Sequence, residues 1–331
     1  MLKFDEKKQI GSVRGALLLR GRIETIVDEI WRRGLKNLCF LGIGGTWASC
    51  LQAVCHMKER TALEVFAANA AEYNTTGDRR VGQGTFMVIS SVSGTTVEVV
   101  EAVEKARRAG AEVLGFIDNE EAPLAGLVDH CITYKGNEQL KFFMAADRFL
   151  YNAGELPEYH DMYGQFDAAL PEALAAVEKA ADAFGEAFAL AHKDDPLHYF
   201  AGAGVQYGAV YSYAMCYWEE MHWLRTKSIH AAELFHGTLE VMEEDTPVTL
   251  FIGEDAQRPL AERAARFLQK VCRNYTVIDT RDYELPGIDA GYRWAVCHLV
   301  MHGVTNRIDA HLEALTGHDM ELRRYYRKME Y

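Results

Sequence analysis

Four hydroxyls and a glycine stand together at residues 91–96, Ser91-Val92-Ser93-Gly94-Thr95-Thr96. An apolar stretch, TFMVIS (85–90), leads into this run, and a helical one, VEVVEAVEKARRAG, leaves it and ends at Gly110. Hydroxyls and free amides at the start of a helix donate hydrogen bonds, and the helix dipole adds partial positive charge. The run therefore suits a phosphate. Ordinary capping by Ser93 or Thr95 would need only one hydroxyl; four favour an anion. A second loop, GIGGT (42–46), lets the backbone approach a ligand through Gly42, Gly44 and Gly45. It is not a full dinucleotide fingerprint, because Trp47 stands where the third glycine belongs. The later set Gly202, Gly204 and Gly208 is one residue too wide, and Glu64, about 20 residues beyond the first loop, is the only support for a nucleotide.

These loops need strands and helices to hold them. NLCFL (37–41), LEVFAA (63–68), TFMVIS, EVLGFI (112–117) and CITYK (131–135) read as strands with helical segments between most of them. Short apolar strands with helical crossovers predict an α/β fold, a parallel sheet covered on both faces. A long helical region follows, with Pro171 placed as a first-turn residue and Leu174, Val177, Ala181, Phe184 and Phe188 on one face. The polar stretch HKDDP (192–196) then marks a boundary, giving domains over 1–190 and 191–331. The pattern restarts beyond it. LHYFAGAG (197–204) is a strand entering a glycine loop, a helix runs through Tyr217, and TPVTLFIG (246–253) and NYTVIDT (274–280) are further strands. A helix at roughly 289–315 closes the domain. Gly44 and Gly204 hold equivalent places, so the chain reads as two α/β domains of one build.

Composition agrees with two domains: 331 residues, 49% apolar and 25% charged. The net charge of −13 argues against nucleic acid or an anionic membrane as partner. It leaves room for a small anion held by backbone amides. Seven cysteines, an odd number with no C-x-x-C pair, read as reduced, buried thiols of a cytoplasmic protein rather than a zinc site. The start, MLKFDEKKQ, has no apolar signal region, and no run approaches the length of a membrane span.

The run Ser91-Val92-Ser93-Gly94-Thr95-Thr96-x-Glu98 resembles the S-x-S-G-x-T-x-[ED] signature of the sugar isomerase (SIS) domain, and GGTWAS resembles that family's first phosphate loop. The resemblance implies two SIS domains, each a flavodoxin-like parallel sheet flanked by helices, and a phosphosugar ligand at Gly45, Thr46, Ser91, Ser93 and Thr96. The stretch YWEEMHWLRTKSIHAAELFHGTLEVMEEDTP is similar to the isomerase half of glucosamine-6-phosphate synthase, and closer to deglycases of 6-phosphorylated fructosamines. Glu220 and His236 match the acid–base residues of those enzymes, and Lys328 in the tail RRYYRKMEY matches their sugar-contacting lysine. The resemblance further implies a homodimer or higher oligomer with the site at the subunit interface, the histidine supplied in cis or in trans, and no metal or organic cofactor. Three features depart from the family: Thr238 replaces a proline, Trp47 replaces a smaller residue, and no glutamine amidotransferase domain is expected, with Leu2 where its nucleophilic cysteine would stand.

Physical reading of the same residues adds a rationale. Glu220 ends an apolar helical stretch, AVYSYAMCYWEEMHW, where partial burial would raise its pKa and suit a base that returns its proton. The plainer reading is a solvated acid paired with Lys or Arg. His236 precedes a glycine and could protonate a ring oxygen near neutral pH; a capping or core histidine is the alternative. His222 reads as packing beside Trp223, His230 as a supporting partner, and Glu219 and Glu233 as rival acids. The implied reaction is ring opening, a proton shuttle between C1 and C2, and hydrolysis of the resulting imine to glucose 6-phosphate and an amine. An aldose–ketose isomerase or aminosugar-phosphate deaminase would share the shuttle. A non-catalytic sugar-phosphate sensor and a nicotinamide-dependent reductase are the readings from other classes; the first lacks a basic DNA-binding segment before residue 35.

Overall fold

The structure is a computed structural model describing residues 1–330. Tyr331, the last residue of the tail and of the expected second domain, lies outside the described residues. The chain forms two compact units, one of Lys7–Pro171 and one of Met1–Glu6 with the chain from Glu172 onward.

In the Lys7–Pro171 unit, two helices, α1 (Glu6–Leu17) and α2 (Arg20–Arg33), precede alternating strands and helices. These are β1 (Asn37–Gly42), α3 (Gly45–Lys58), β2 (Glu64–Asn69), α4 (Ala70–Thr76), β3 (Thr85–Ser91), α5 (Val97–Arg108), β4 (Glu112–Ile117), α6 (Pro123–Leu127), β5 (His130–Thr133) and α7 (Glu138–Asn152). All five strands are parallel, in the order β2-β1-β3-β4-β5. Every residue of β1 and β3 is buried, as helices on both faces require of central strands. Cys39, Leu41, Met87 and Ile89 on one sheet face pack with Val99, Val103 and Tyr73.

Helix α8 (Tyr159–His192) runs through the division between the units. Pro171 is inside it and not in a first turn. Buried Tyr159, Met162, Tyr163, Phe166 and Leu170 form an apolar face that starts the helix earlier, and this outweighs the break that proline favours. The units separate at Pro171 and Glu172, not near residue 190.

The second unit continues with β6 (His198–Gly202), α9 (Val205–Ser212), β7 (Thr226–His230), β8 (Val248–Ile252), α10 (Arg258–Val271), β9 (Tyr275–Asp279) and α11 (Cys297–Thr316). Its four parallel strands run β7-β6-β8-β9, the order of the first sheet without its fifth strand. The doubled build is visible at the loop glycines: Gly44 has φ 61° and ψ −130°, Gly204 φ 62° and ψ −138°. Two expectations change. The helix expected through Tyr217 widens at Tyr213–Glu219 into a π-helix, and the closing helix is a 3-10 turn at Ala290–Ala295 followed by α11. All seven cysteines are free. No helix among the described residues is long and apolar enough to cross a membrane.

Candidate active site

In the first sheet the chain passes from β1 outward to β2, then returns to β3 on the other side of β1. Ligands of open parallel sheets bind where this reversal parts the loops at the carboxyl ends of the strands. The loops after β1 and β3 are GIGGT and SVSGTT, so the topology puts both at that edge. Glu64 begins β2, at the opposite edge, and accepts from Asn37 Nδ2 at 3.1 Å. It is no ribose ligand, and the dinucleotide reading loses its acid.

Glycine is enforced at two points of this edge. A Cβ on Gly42 would meet the Thr46 carbonyl carbon at 2.8 Å, so α3 presses directly on the strand end. Gly94 has φ +62°, and a Cβ there would lie 2.4 Å from Ala122 Cβ. The hydroxyls divide their work. Ser91 is buried, and its Oγ accepts from the Gly94 amide at 3.0 Å; Ser93 Oγ accepts from the Thr95 amide at 3.3 Å. These bonds shape the turn. Thr96 is the N-cap of α5, yet its side chain makes no capping bond, and Gly44 has no side chain with which to cap α3. Both helix starts thus lack a side-chain cap at the N-cap position, which suits an anion. Thr46 Oγ1 donates to Glu138 Oε2 at 2.9 Å, and Gly45 opens α3.

The equivalent seat in the second unit is occupied by the chain itself. Asp255 Oδ2 accepts from the Val205 amide at 3.2 Å and Oδ1 from the Gln257 amide at 2.8 Å. A Cβ on Gly204 would fall 2.1 Å from Asp255 Oδ1. A carboxylate thus already sits at the amino end of α9, where a phosphate would meet like charge.

Glu220 follows the π-helix, a form found often at functional sites. Its Oε1 accepts from Arg323 Nε at 2.8 Å, and its side chain is 33% exposed. The carboxylate is therefore partly buried, and a guanidinium from the tail fixes it. Arg323 is itself held by the Met320 and Leu322 carbonyls. Glu220 lines a pocket of about 860 Å3 together with Trp223, Arg225, Arg323, Arg324 and Tyr325. His236 ends a 3-10 turn, Glu233–His236, and is exposed; it does not line this pocket. Gly237 after it has φ +144°, and Thr238 begins the next turn. Lys328 lies on the exposed tail, its amide donating to the Tyr325 carbonyl at 2.8 Å.

The neighbours of these residues sort out. His222 does not pack on Trp223 but is buried against Asp309, Nε2 to Oδ1 3.2 Å. Trp223, with φ +58°, instead meets the His318 ring at 4.3 Å and the Arg324 guanidinium at 4.0 Å. Glu219 is exposed and accepts from Thr226 Oγ1 at 2.7 Å, and Glu233 is exposed. His230 Nδ1 accepts from the Ala232 amide at 3.2 Å, a bond within its own turn.

One group of metal-ligating side chains is close enough to share an ion among the described residues: His192, Asp195 and His198. Both Nδ1 atoms stand 2.8 Å from Asp195 Oδ2, and His198 Nε2 stands 2.8 Å from Thr249 Oγ1. Hydrogen bonds account for the arrangement. Burial pushes the His198 imidazole down to about 4, against the pull of Asp195. Sequence reasoning missed the arginines beside Glu220. Their signal was the adjacent pair Arg323-Arg324 in an acidic chain, with Lys328 drawing the attention instead.

Residues 33–147 match the SIS domain family. The chain is 27% identical to the fructosamine deglycase FrlB of Bacillus subtilis (strain 168), over 93% of this chain and 97% of that one. It is 23% identical to the fructoselysine 6-phosphate deglycase of Escherichia coli (strain K12), over 92% and 89%. A solved Bacillus subtilis structure, 25% identical, superposes with a TM-score of 0.88 over 93% of this chain and 97% of that one. Residues 33–147 therefore match a SIS domain, and the chain resembles the fructosamine deglycases over more than nine-tenths of its length.

Proposed function

We propose that the chain hydrolyses a 6-phosphorylated fructosamine, such as fructoselysine 6-phosphate, to glucose 6-phosphate and a free amino acid. The observation that carries this reading is the similarity, across more than nine-tenths of the chain, to proteins named for that reaction. The phosphate is assigned to Gly45, Thr46, Ser91, Ser93 and Thr96, with Lys328 as a sugar contact. Support comes from the starts of α3 and α5, which lie at the carboxyl edge of the sheet without a side-chain cap, and from Asp255 filling the matching seat in the second unit.

The steps need proton transfers and water. His236 donates a proton to the ring oxygen of the closed sugar, opening it to the C2 ketone. Glu220 takes a proton from C1, forming the enaminol, and returns it to C2. The C1 imine that results is attacked by water; its C–N bond breaks, leaving the C1 aldehyde and the free amine. Arg323 on Oε1 leaves Glu220 Oε2 without a hydrogen bond from a described residue, which suits the oxygen that moves the proton. Each such transfer contributes roughly 10²–10⁴ in rate.

The same reading makes the protein a cytoplasmic homodimer or higher oligomer. Seven free thiols suit a reducing compartment. His236, exposed and outside the pocket that Glu220 lines, suits a group supplied to a second copy. The test is incubation with fructoselysine 6-phosphate, following amine and glucose 6-phosphate together. Equal release of both is expected. Isomerisation without amine would establish the isomerase, and ligand binding without turnover the sensor.

A further inference from the structure

Tyr213, His222 and Asp309 are buried in the second unit, and no step of the reaction above uses them. All three meet at one atom. Asp309 Oδ1, on α11, accepts from the Tyr213 hydroxyl at 3.1 Å and stands 3.2 Å from His222 Nε2. Tyr213 opens the π-helix, and His222 lies two residues beyond Glu220. In an uninterrupted α-helix, residues nine apart stand roughly 13.5 Å from each other along the axis. Here the chain widens and then turns back, and one oxygen reaches both. The Met221 and His222 amides donate to the Tyr217 carbonyl, and the Leu224 amide donates to the Trp218 carbonyl at 2.8 Å. Trp223, between them and at φ +58°, holds a backbone state that a bulky residue adopts only where its surroundings impose it.

The arrangement costs stability. Burial pushes the Asp309 carboxyl up, against the pull of His222 and Tyr213. Its Oδ2 and His222 Nδ1 are buried with no hydrogen bond among the described residues, a place where apolar groups of the same size would pack at less cost. What the carboxyl supplies is a fixed point on both sides of the base. We propose that Asp309 is a positioning residue for Glu220, strapping Tyr213 and His222 to α11 so that the turn between them holds the base against C1. The proposal rests on the deglycase reading above, in which Glu220 is that base. Arg323 from the tail fixes the tip of the Glu220 side chain, and Asp309 fixes the backbone from which it springs. A shift of about 1 Å at a reacting group is enough to cost roughly 100-fold in rate.

Double-mutant kinetics on fructoselysine 6-phosphate test this, with amine release giving kcat and KM and a thermal melt of each preparation giving stability. Asp309→Ala should lower kcat by roughly 10- to 100-fold while KM stays within about twofold. Asp309→Asn keeps an oxygen for both donors and puts its nitrogen where Oδ2 already lacks a bond, so kcat should return to within about threefold of the unaltered enzyme. Tyr213→Phe keeps the ring and frees one end of the strap, and should lower kcat by roughly three- to tenfold. In the Glu220→Gln background neither Asp309→Ala nor Tyr213→Phe should change the residual rate by more than about twofold, because the strap acts through that carboxylate. Equal fold losses in both backgrounds overturn the proposal, as does a loss confined to KM or an Asp309→Asn enzyme no faster than Asp309→Ala. Should Asp309→Ala fail to fold, Tyr213→Phe in the two backgrounds decides by the same criterion. Absence of amine release from the unaltered enzyme refutes the deglycase reading and the strap with it, an outcome distinct from the others.

Discussion

Glu220→Gln separates proton transfer from folding. The amide keeps the shape of the carboxylate and an oxygen for Arg323 Nε, now 2.8 Å from Oε1. What is lost is the charge of an ion pair whose acid is 33% exposed, and such pairs contribute about 0.2–1 kcal/mol. Stability should therefore fall by less than about 1 kcal/mol, a few degrees in Tm at most. The catalytic loss is of another size. Removing a placed base costs roughly 10²–10⁴ in rate, about 2.7–5.4 kcal/mol in the barrier. KM should change little, because the phosphate grip is assigned to the loops after β1 and β3. Glucose 6-phosphate formed from a fructosamine 6-phosphate gives the rate, and a urea or thermal melt of the same preparation gives the stability. A kcat within tenfold of the unaltered enzyme refutes Glu220 as the base. So does a lost rate accompanied by an equal loss of folded protein, since the residue would then be structural.

Gly94→Ala should lower stability by roughly 2–5 kcal/mol, because alanine is strained at φ +62° and its Cβ would stand 2.4 Å from Ala122 Cβ; an unchanged melting temperature refutes that geometry. Mixing Glu220→Gln with His236→Asn, each inactive alone, should restore part of the activity through hybrid dimers if the histidine acts on a second copy. No recovery after subunit exchange, verified with differently tagged chains, places His236 in cis. His198 predicts a pH effect on folding. Its folded pKa is depressed to about 4 from 6.5, so the unfolded chain binds the proton first as pH falls. The stabilisation is complete above 6.5 and is lost progressively down to about 4, of order 3 kcal/mol in all. His198→Gln should flatten urea midpoints between these pH values, and an unchanged slope would refute the assignment.

The strands that the sequence reveals are those whose physics is local. β1, β3 and β8 are buried throughout and read as predominantly apolar runs. β7 escapes the same reading because it is an edge strand: Thr226, Lys227 and Ser228 carry no apolar signal, and only Ile229 is buried. Pro171 carries a strong local signal that is outvoted by the aromatic face around it. The site divides in the same manner. The hydroxyl run at 91–96 is legible as a cluster, but that Ser91 and Ser93 accept from backbone amides while Thr96 does not cap depends on turn geometry. The partner of Glu220 lies 103 residues away, a separation at which spacing carries no information.

The doubled fold sharpens what each unit can contribute. Gly44 and Gly204 turn the chain in nearly the same conformation into helices of matching position, so backbone geometry alone would give both units an anion seat. One side chain breaks the equivalence. Asp255 places its carboxylate against the start of α9, and an anion at a helix start is worth about 0.3–1 kcal/mol, so the seat is filled by a group that needs no ligand. In the first unit the corresponding loop carries Ser93, Thr95 and Thr96, which add no charge, and Gly44 before α3 has no side chain with which to cap it. The carboxylate proposed for proton transfer lies elsewhere in the second unit, at Glu220, directly after a π-helix whose Met215 and Tyr217 carbonyls receive the Glu220, Met221 and His222 amides. A duplicated strand–loop–helix has thus been turned to two chemistries by which residue faces the helix start, hydroxyl or carboxylate. On the proposed function, that choice, rather than the shared fold, assigns the phosphate to the first unit.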